Sequence, residues 1–512
     1  MFAKVSCAAL RGVDALEVRL EADFTRGGLP SFNMVGLAEG AVKEAGGRVF
    51  TALRNCAFNL PSGRITVNLA PANYRKEGSS YDLPLALGLL AAAGAIPTEA
   101  LEGFYCLGEL SLTGELRSVP GVLPVAMLAA EKGARGLLVP LDNAGEGAVV
   151  RGLAVYGARS LPEAVAFLGG KLSLEPARPD EDRGEEDFSG RFVFDFAEVK
   201  GQEHAKRAIE LAAAGGHNIL FIGPPGSGKT MLARRIPGIL PPLSFEESLE
   251  VTRIYSVAGL LRPGQSLLRS RPFRAPHHTT SNAGMVGGTA NPRPGEVSLA
   301  HRGVLFLDEL PEFQKSVLEV LRQPLEDGRI SIARAAITVS YPARIMLVAA
   351  MNPCPCGYYG DRRHSCACAP QAVQRYRSRL SGPLLDRLDL HVEVPAVPYE
   401  ELRARNPGTG SARMRARVVR ARALQESRYR GSSCRGNAEL NGSMLEEYCA
   451  LDKEGSDFLG QAVKSLALSA RSYTRILRLA RTAADLADKE QIGVEHLAEA
   501  VNCRVLDREQ PG

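Results

Sequence analysis

Asn218-Ile-Leu-Phe-Ile-Gly223-Pro224-Pro225-Gly226-Ser227-Gly228-Lys229-Thr230-Met-Leu-Ala233 reads as a buried apolar strand, a glycine-rich turn and the start of a helix. It fits the pattern G-x-x-x-x-G-K-[ST], and each residue type has a chemical reason. Glycines let consecutive backbone N–H groups curl around phosphate oxygens at a helix N-terminus, where the helix dipole favours anions. Lys229 would neutralise the β- and γ-phosphates, and Thr230 would hold Mg2+. The segment Gly223, Pro224, Pro225, Gly226, Ser227, Gly228, Lys229 and Thr230 is therefore the expected ATP site.

Hydrolysis requires an acidic strand end as well. Gly303-Val-Leu-Phe-Leu-Asp308-Glu309 supplies one 78 residues after Thr230. Asp308 would hold Mg2+ through water, and Glu309 would polarise the attacking water, a role that simple nucleotide binding does not need. A third apolar run, Arg344-Ile-Met-Leu-Val-Ala-Ala-Met, ends at Asn352. If the three runs are parallel strands, all these polar groups share the sheet edge where ligands bind in open α/β sheets.

Working outward, the 512 residues predict about three or four domains. Residues 1–170 mix strand-like and helical runs, and 171–191 form an acidic, proline-containing linker with little to bury. An α/β region spans 192–398, followed by a helical region over 399–512. No apolar run reaches the about 18–20 residues that cross a bilayer, and no basic-then-apolar leader opens the chain. The expectation is a cytoplasmic protein with no membrane partner. Its net charge of +5 is too small to imply nucleic acid, yet ten arginines between Arg403 and Arg435 face only Glu426 among acids. That run could neutralise DNA phosphates, or it could be a solvated or interface-forming helix face.

Four of the ten cysteines, Cys354, Cys356, Cys366 and Cys368, fall within fifteen residues as two C-x-C pairs. In extended backbone each pair would point one way, and the two pairs together could form the four-sulfur shell that zinc prefers. Free thiols are the alternative, with His364 a reserve ligand. His277 and His278, being adjacent, should point apart in an extended chain and so make a poor metal pair.

These motifs resemble the AAA+ superfamily, and within it the magnesium-chelatase-like YifB/ComM family, over nearly the whole chain. The resemblance implies an α/β P-loop core with a C-terminal helical lid and an N-terminal Lon-protease-like α/β domain. Phe196-Ala-Glu-Val-Lys-Gly201-Gln202 is similar to the segment near adenine, and Asn352 matches sensor 1. Arg387, in Ser381-Gly-Pro-Leu-Leu-Asp386-Arg387, looks like an arginine finger that reaches a neighbouring subunit's ATP. Arg471, in Ser469-Ala-Arg471-Ser-Tyr-Thr-Arg475, resembles sensor 2. A hairpin around Arg334 looks like a pore element, making Arg334 a candidate DNA contact. In the first domain, Lys76-Glu-Gly78-Ser79-Ser80 resembles the Lon serine segment. The position of the Lon lysine is Leu123, so proteolysis is not expected.

The resemblance implies a homo-hexameric ATPase that branch-migrates DNA recombination intermediates in natural transformation. The alternative is a protein-remodelling or metal-chelatase-type AAA+ ATPase without a DNA substrate.

Overall fold

The computed structural model describes residues 2–27, 29–179, 194–288, 292–333, 338–361, 363–403, 408–432 and 434–508. Most of the expected acidic linker and the hairpin tip that carries Arg334 lie outside the described residues.

The first region is a seven-stranded mixed sheet ordered β3-β4-β2-β1-β5-β6-β7. Its strands are β1 (Phe2–Arg11), β2 (Asp14–Arg26), β3 (Ser31–Val35), β4 (Gly63–Ala70), β5 (Phe104–Cys106), β6 (Gly136–Pro140) and β7 (Val155–Ala158). β1 and β2 pair antiparallel from Phe2↔Asp23 to Arg11↔Asp14, and Gly12 supplies the left-handed residue that the tight turn needs (φ 66°). Helices α1 (Ala41–Asn55) and α2 (Asp82–Ala92) pack together and join the sheet in one core. Every residue of α2 is buried, so its apolar character on all sides marks a core helix. No helix among the described residues is long and apolar enough to cross a membrane.

The second region is a five-stranded sheet, β9-β10-β13-β8-β14, in which every pairing is parallel. Its strands are β8 (Ile219–Ile222), β9 (Phe273–Arg274), β10 (Val304–Leu307), β13 (Met346–Met351) and β14 (Leu390–Glu393); β11 (Arg329–Ala333) and β12 (Thr338–Pro342) form a separate antiparallel hairpin before β13. β8, β10 and β13 are buried throughout, which explains why their sequences are continuous apolar runs without alternation. Because β13 inserts between β8 and β10, its polar successor Asn352 emerges between the phosphate loop and Asp308.

The helical region stacks on this sheet and shares one core with it. Helix α7 (Ser411–Arg428) and helix α8 (Ala470–Leu486) both pack against α4 (Glu203–Gly215); α5 (Lys229–Arg235) follows the phosphate loop, and α6 (Phe245–Ala258) faces the first region. There α6 meets α3 (Val122–Glu131): Gly121 N–H donates to Ser256 O at 3.0 Å, and Ser256 Oγ donates to buried Glu146. Burial raises the Glu146 carboxyl pKa, with the Ser256 hydroxyl acting against that rise. Val13, beside the β1–β2 turn, joins the second region's core, and Arg253 donates to its carbonyl at 3.2 Å.

Candidate active site

The phosphate loop turns on Gly226 and Gly228, both in the left-handed region (φ 74° and 93°), and Gly228 caps the start of α5. A Cβ on Gly223 would lie 2.1 Å from Val394 O, so only glycine fits between the loop and the end of β14. Lys229 is buried, with Nζ donating to Gly223 O (2.7 Å), Pro224 O (2.9 Å) and Asn352 Oδ1 (3.2 Å). Burial lowers its pKa to about 8 against the opposing pull of Asp308 and Glu309. That ammonium stands where it would meet phosphate oxygens, and Asn352 stands beside it.

Thr230 Oγ1 donates to Asp308 Oδ2 at 2.7 Å, and Glu309 N–H donates to Asp308 Oδ1 at 3.0 Å. A hydroxyl and a carboxylate, both hard oxygen donors, fit a Mg2+ ion that keeps most of its waters. Glu309 adopts φ 52°, a left-handed conformation uncommon for a side-chain-bearing residue, and its carboxylate is exposed. His278 Nδ1 lies 3.5 Å from Glu309 Oε2. Nothing in the sequence signalled that contact, because the two residues belong to segments after different strands. The His277 and His278 rings do not point apart: their centroids are 4.1 Å apart, because the backbone there turns instead of running extended. No third metal donor joins them among the described residues.

Arg387 and Arg471 stand elsewhere. Leu390, first in β14, pairs with Ile219, first in β8, and Asn218 Nδ2 donates to Arg387 O at 2.8 Å. Arg387 is thus at the amino end of the sheet, whereas the phosphate loop leaves its carboxyl end. The five-residue span from Asn218 to Gly223 separates them by about 16 Å, well beyond an arginine's reach. Arg387 pairs with Glu326, not with Asp386 or Asp389. Arg471, its side chain 70% exposed, pairs with Asp386 at 2.6 Å and so occupies the same amino end. Arg475 instead approaches Asp389 at 3.5 Å. Burial alone would raise the Asp389 pKa; the imidazole of His217 3.5 Å away, Arg475 and the Asn218 N–H hold it down to about 2.

The four cysteine sulfurs all lie within 4.8 Å of one another. Cys354–Cys356, Cys356–Cys366 and Cys354–Cys366 separations are 3.3, 3.6 and 3.7 Å. A tetrahedral zinc with bonds of about 2.3 Å would set sulfur–sulfur edges of about 3.8 Å. The first pair converges through a turn and not through extended backbone. His364 is outside the cluster, stacked on Tyr358 and close to Asp361.

The basic run is partly spent inside the protein. Arg417 pairs with Glu210, Arg428 with Asp485 at 2.7 Å, and Arg422 Nε donates to Ala213 O at 3.2 Å. These contacts fasten α7 to α4 and α8. Glu210 belongs to the core and Asp485 to the lid. In the first region, Leu123 is wholly buried with its N–H on Glu146 Oε1 (2.8 Å), Lys76 donates to Pro71 O, and Ser79 donates to Glu109.

Three family models match the chain: magnesium chelatase, subunit ChlI, over residues 195–402; its C-terminal part over 408–504; and subunit ChlI of Mg-chelatase over 20–143. Competence protein ComM of Haemophilus influenzae is 46% identical, with 98% of this chain and 97% of that protein covered. The uncharacterized protein YifB of Escherichia coli is 44% identical with the same coverage. The chloroplastic magnesium-chelatase subunit ChlI of Nicotiana tabacum is 25% identical, covering 42% of this chain and 51% of that protein.

Proposed function

Since the chain belongs to the YifB/ComM family of magnesium-chelatase-like AAA+ proteins, we propose that it is an ATP-hydrolysing ring motor that acts on DNA, with ComM-like branch migration as its task. The observation that carries the ATPase reading is the meeting of Lys229, Asn352, Thr230 and Asp308 at one sheet edge, with Glu309 beside them. Lys229 binds the β- and γ-phosphates, Thr230 and Asp308 hold Mg2+, and Asn352 contacts the γ-phosphate or orients water. Mg2+ supplies charge neutralisation on the phosphates when bound. Glu309 accepts the water's proton.

Neither Arg387 nor Arg471 completes that site within its own protomer, because both belong to the opposite edge. Both arginines can meet a triphosphate only when a neighbour's carboxyl edge docks on their own amino edge. This heterologous contact generates a closed ring when the rotation closes, and a hexamer is the closure we propose. The four thiols hold a structural zinc, and the first region, with Leu123 in place of an amine, serves ring architecture or binding.

ATP turnover of the purified protein, with and without single-stranded and branched DNA at low and high salt, tests this reading. The expected result is stimulation that falls with salt, vanishes in Lys229→Ala and Glu309→Gln, and weakens in Arg334→Ala. Indifference to DNA would instead favour a protein-remodelling or chelatase-type motor, a reading helped by the internal commitment of Arg417, Arg422 and Arg428.

A further inference from the structure

The cysteine loop is attached to the nucleotide site at two points. It begins two residues after Asn352, whose Oδ1 receives the Lys229 ammonium, and its Gly357 lies against Pro225 in the middle of the phosphate loop. Gly357 has φ 87°, and a Cβ there would fall 2.5 Å from Pro225 Cδ and 2.8 Å from Cγ, atoms of a rigid ring that cannot swing away. The turn that presents Gly357 is held by Cys354: Gly357 N–H donates to Cys354 O at 3.0 Å, and Tyr359 N–H reaches Cys354 Sγ at 3.3 Å. Cys354 is buried and the other three cysteines are partly accessible. From the other side, Arg377 donates to Pro353 O (3.3 Å) and covers the Tyr359 ring.

The described residues of 353–369 form neither helix nor strand. Without regular secondary structure to brace it, such a loop gains order from cross-links, and the sulfur cluster is one. The cross-link, the Gly357–Pro225 contact and the Asn352–Lys229 hydrogen bond thus lie in one continuous stretch of chain.

We propose that a zinc ion bound by Cys354, Cys356, Cys366 and Cys368 acts as a clamp on the phosphate loop, so that nucleotide affinity depends on zinc occupancy. This rests on the zinc and ATP-site assignments made above. Zinc makes no contact with nucleotide in this scheme; Gly357 is a positioning residue, acting through Pro225.

The test uses the full chain and a fluorescent ADP analogue, with zinc counted per chain by elemental analysis and folding followed by circular dichroism. Zinc is withdrawn with a chelator under reducing conditions, then restored. The expected result is one zinc per chain, nucleotide binding weakened about tenfold on its removal, and recovery with zinc but not with added Mg2+. Cys366→Ser should start with low zinc and weak binding and should not respond to the chelator. Gly357→Ala, which alters none of the ligands, should keep its zinc and still bind nucleotide weakly.

A protein that loses zinc, stays folded and binds nucleotide as before overturns the clamp while leaving both underlying assignments standing. Purified protein that binds nucleotide but carries no zinc, and takes none up, overturns the metal site. Protein that carries zinc but binds no nucleotide at any zinc level overturns the ATP-site reading instead.

Discussion

Two inactive variants, Lys229→Ala and Arg387→Ala, should become active when mixed. Lys229 follows the carboxyl end of β8 and Arg387 lies just beyond its amino end, with the strand's length of about 16 Å between the two edges, so no single protomer can bring both to one triphosphate. Removal of a finger arginine costs roughly 10^3-fold or more in turnover, and loss of the loop lysine removes the phosphate anchor. In a randomly assembled equimolar mixture, a site works only when its loop comes from the Arg387→Ala chain and its arginine from the Lys229→Ala chain. Each condition holds for half the positions, so the mixture should show about a quarter of wild-type ATPase activity per chain whatever the ring size. The assay is steady-state phosphate release after the variants are dissociated, mixed and reassembled, with each variant alone as the baseline. A mixture as inactive as its parents, in rings shown to contain both chains, would refute the argument that a neighbour completes the site.

Lys229 should also give nucleotide binding a pH dependence. Its pKa of about 8 in the free protein rises when phosphates bind, so affinity is steady below pH 7 and falls above pH 8 by up to about tenfold per unit, with proton uptake on binding; calorimetry in buffers of different ionisation enthalpy measures that uptake. Glu309→Gln should bind nucleotide as tightly as wild type while hydrolysis drops at least about 10^2-fold, which separates binding from chemistry in a paired titration and turnover assay. Asp389→Ala leaves His217 and Arg475 facing an empty buried position, and should destabilise the core–lid joint by roughly 3–5 kcal/mol in denaturant unfolding. Because the native Asp389 pKa is depressed to about 2, the stability it lends is present above the ordinary carboxylate pKa and is lost as pH falls from about 4 toward 2; the Ala variant should show less of that acid sensitivity.

The parts of the site that are local in the chain were legible in the residues alone. A glycine-rich turn between an apolar strand and a helix, followed by Lys-Thr, marks a phosphate loop, so it could be read from its residues, and the apolar runs before Asp308 and Asn352 fitted strands of a buried parallel sheet. Strand order was beyond its reach: that β13 inserts between β8 and β10, bringing Asn352 Oδ1 within 3.2 Å of Lys229, is a non-local pairing that no window of sequence contains. The same holds for side chains whose partners come from distant segments. Only the tertiary structure gave Arg417 and Arg428 to Glu210 and Asp485, set His278 against Glu309, and laid Gly357 on Pro225. Charge and spacing state which groups could interact; packing decides which ones do, because a buried side chain contacts only what the fold delivers to it.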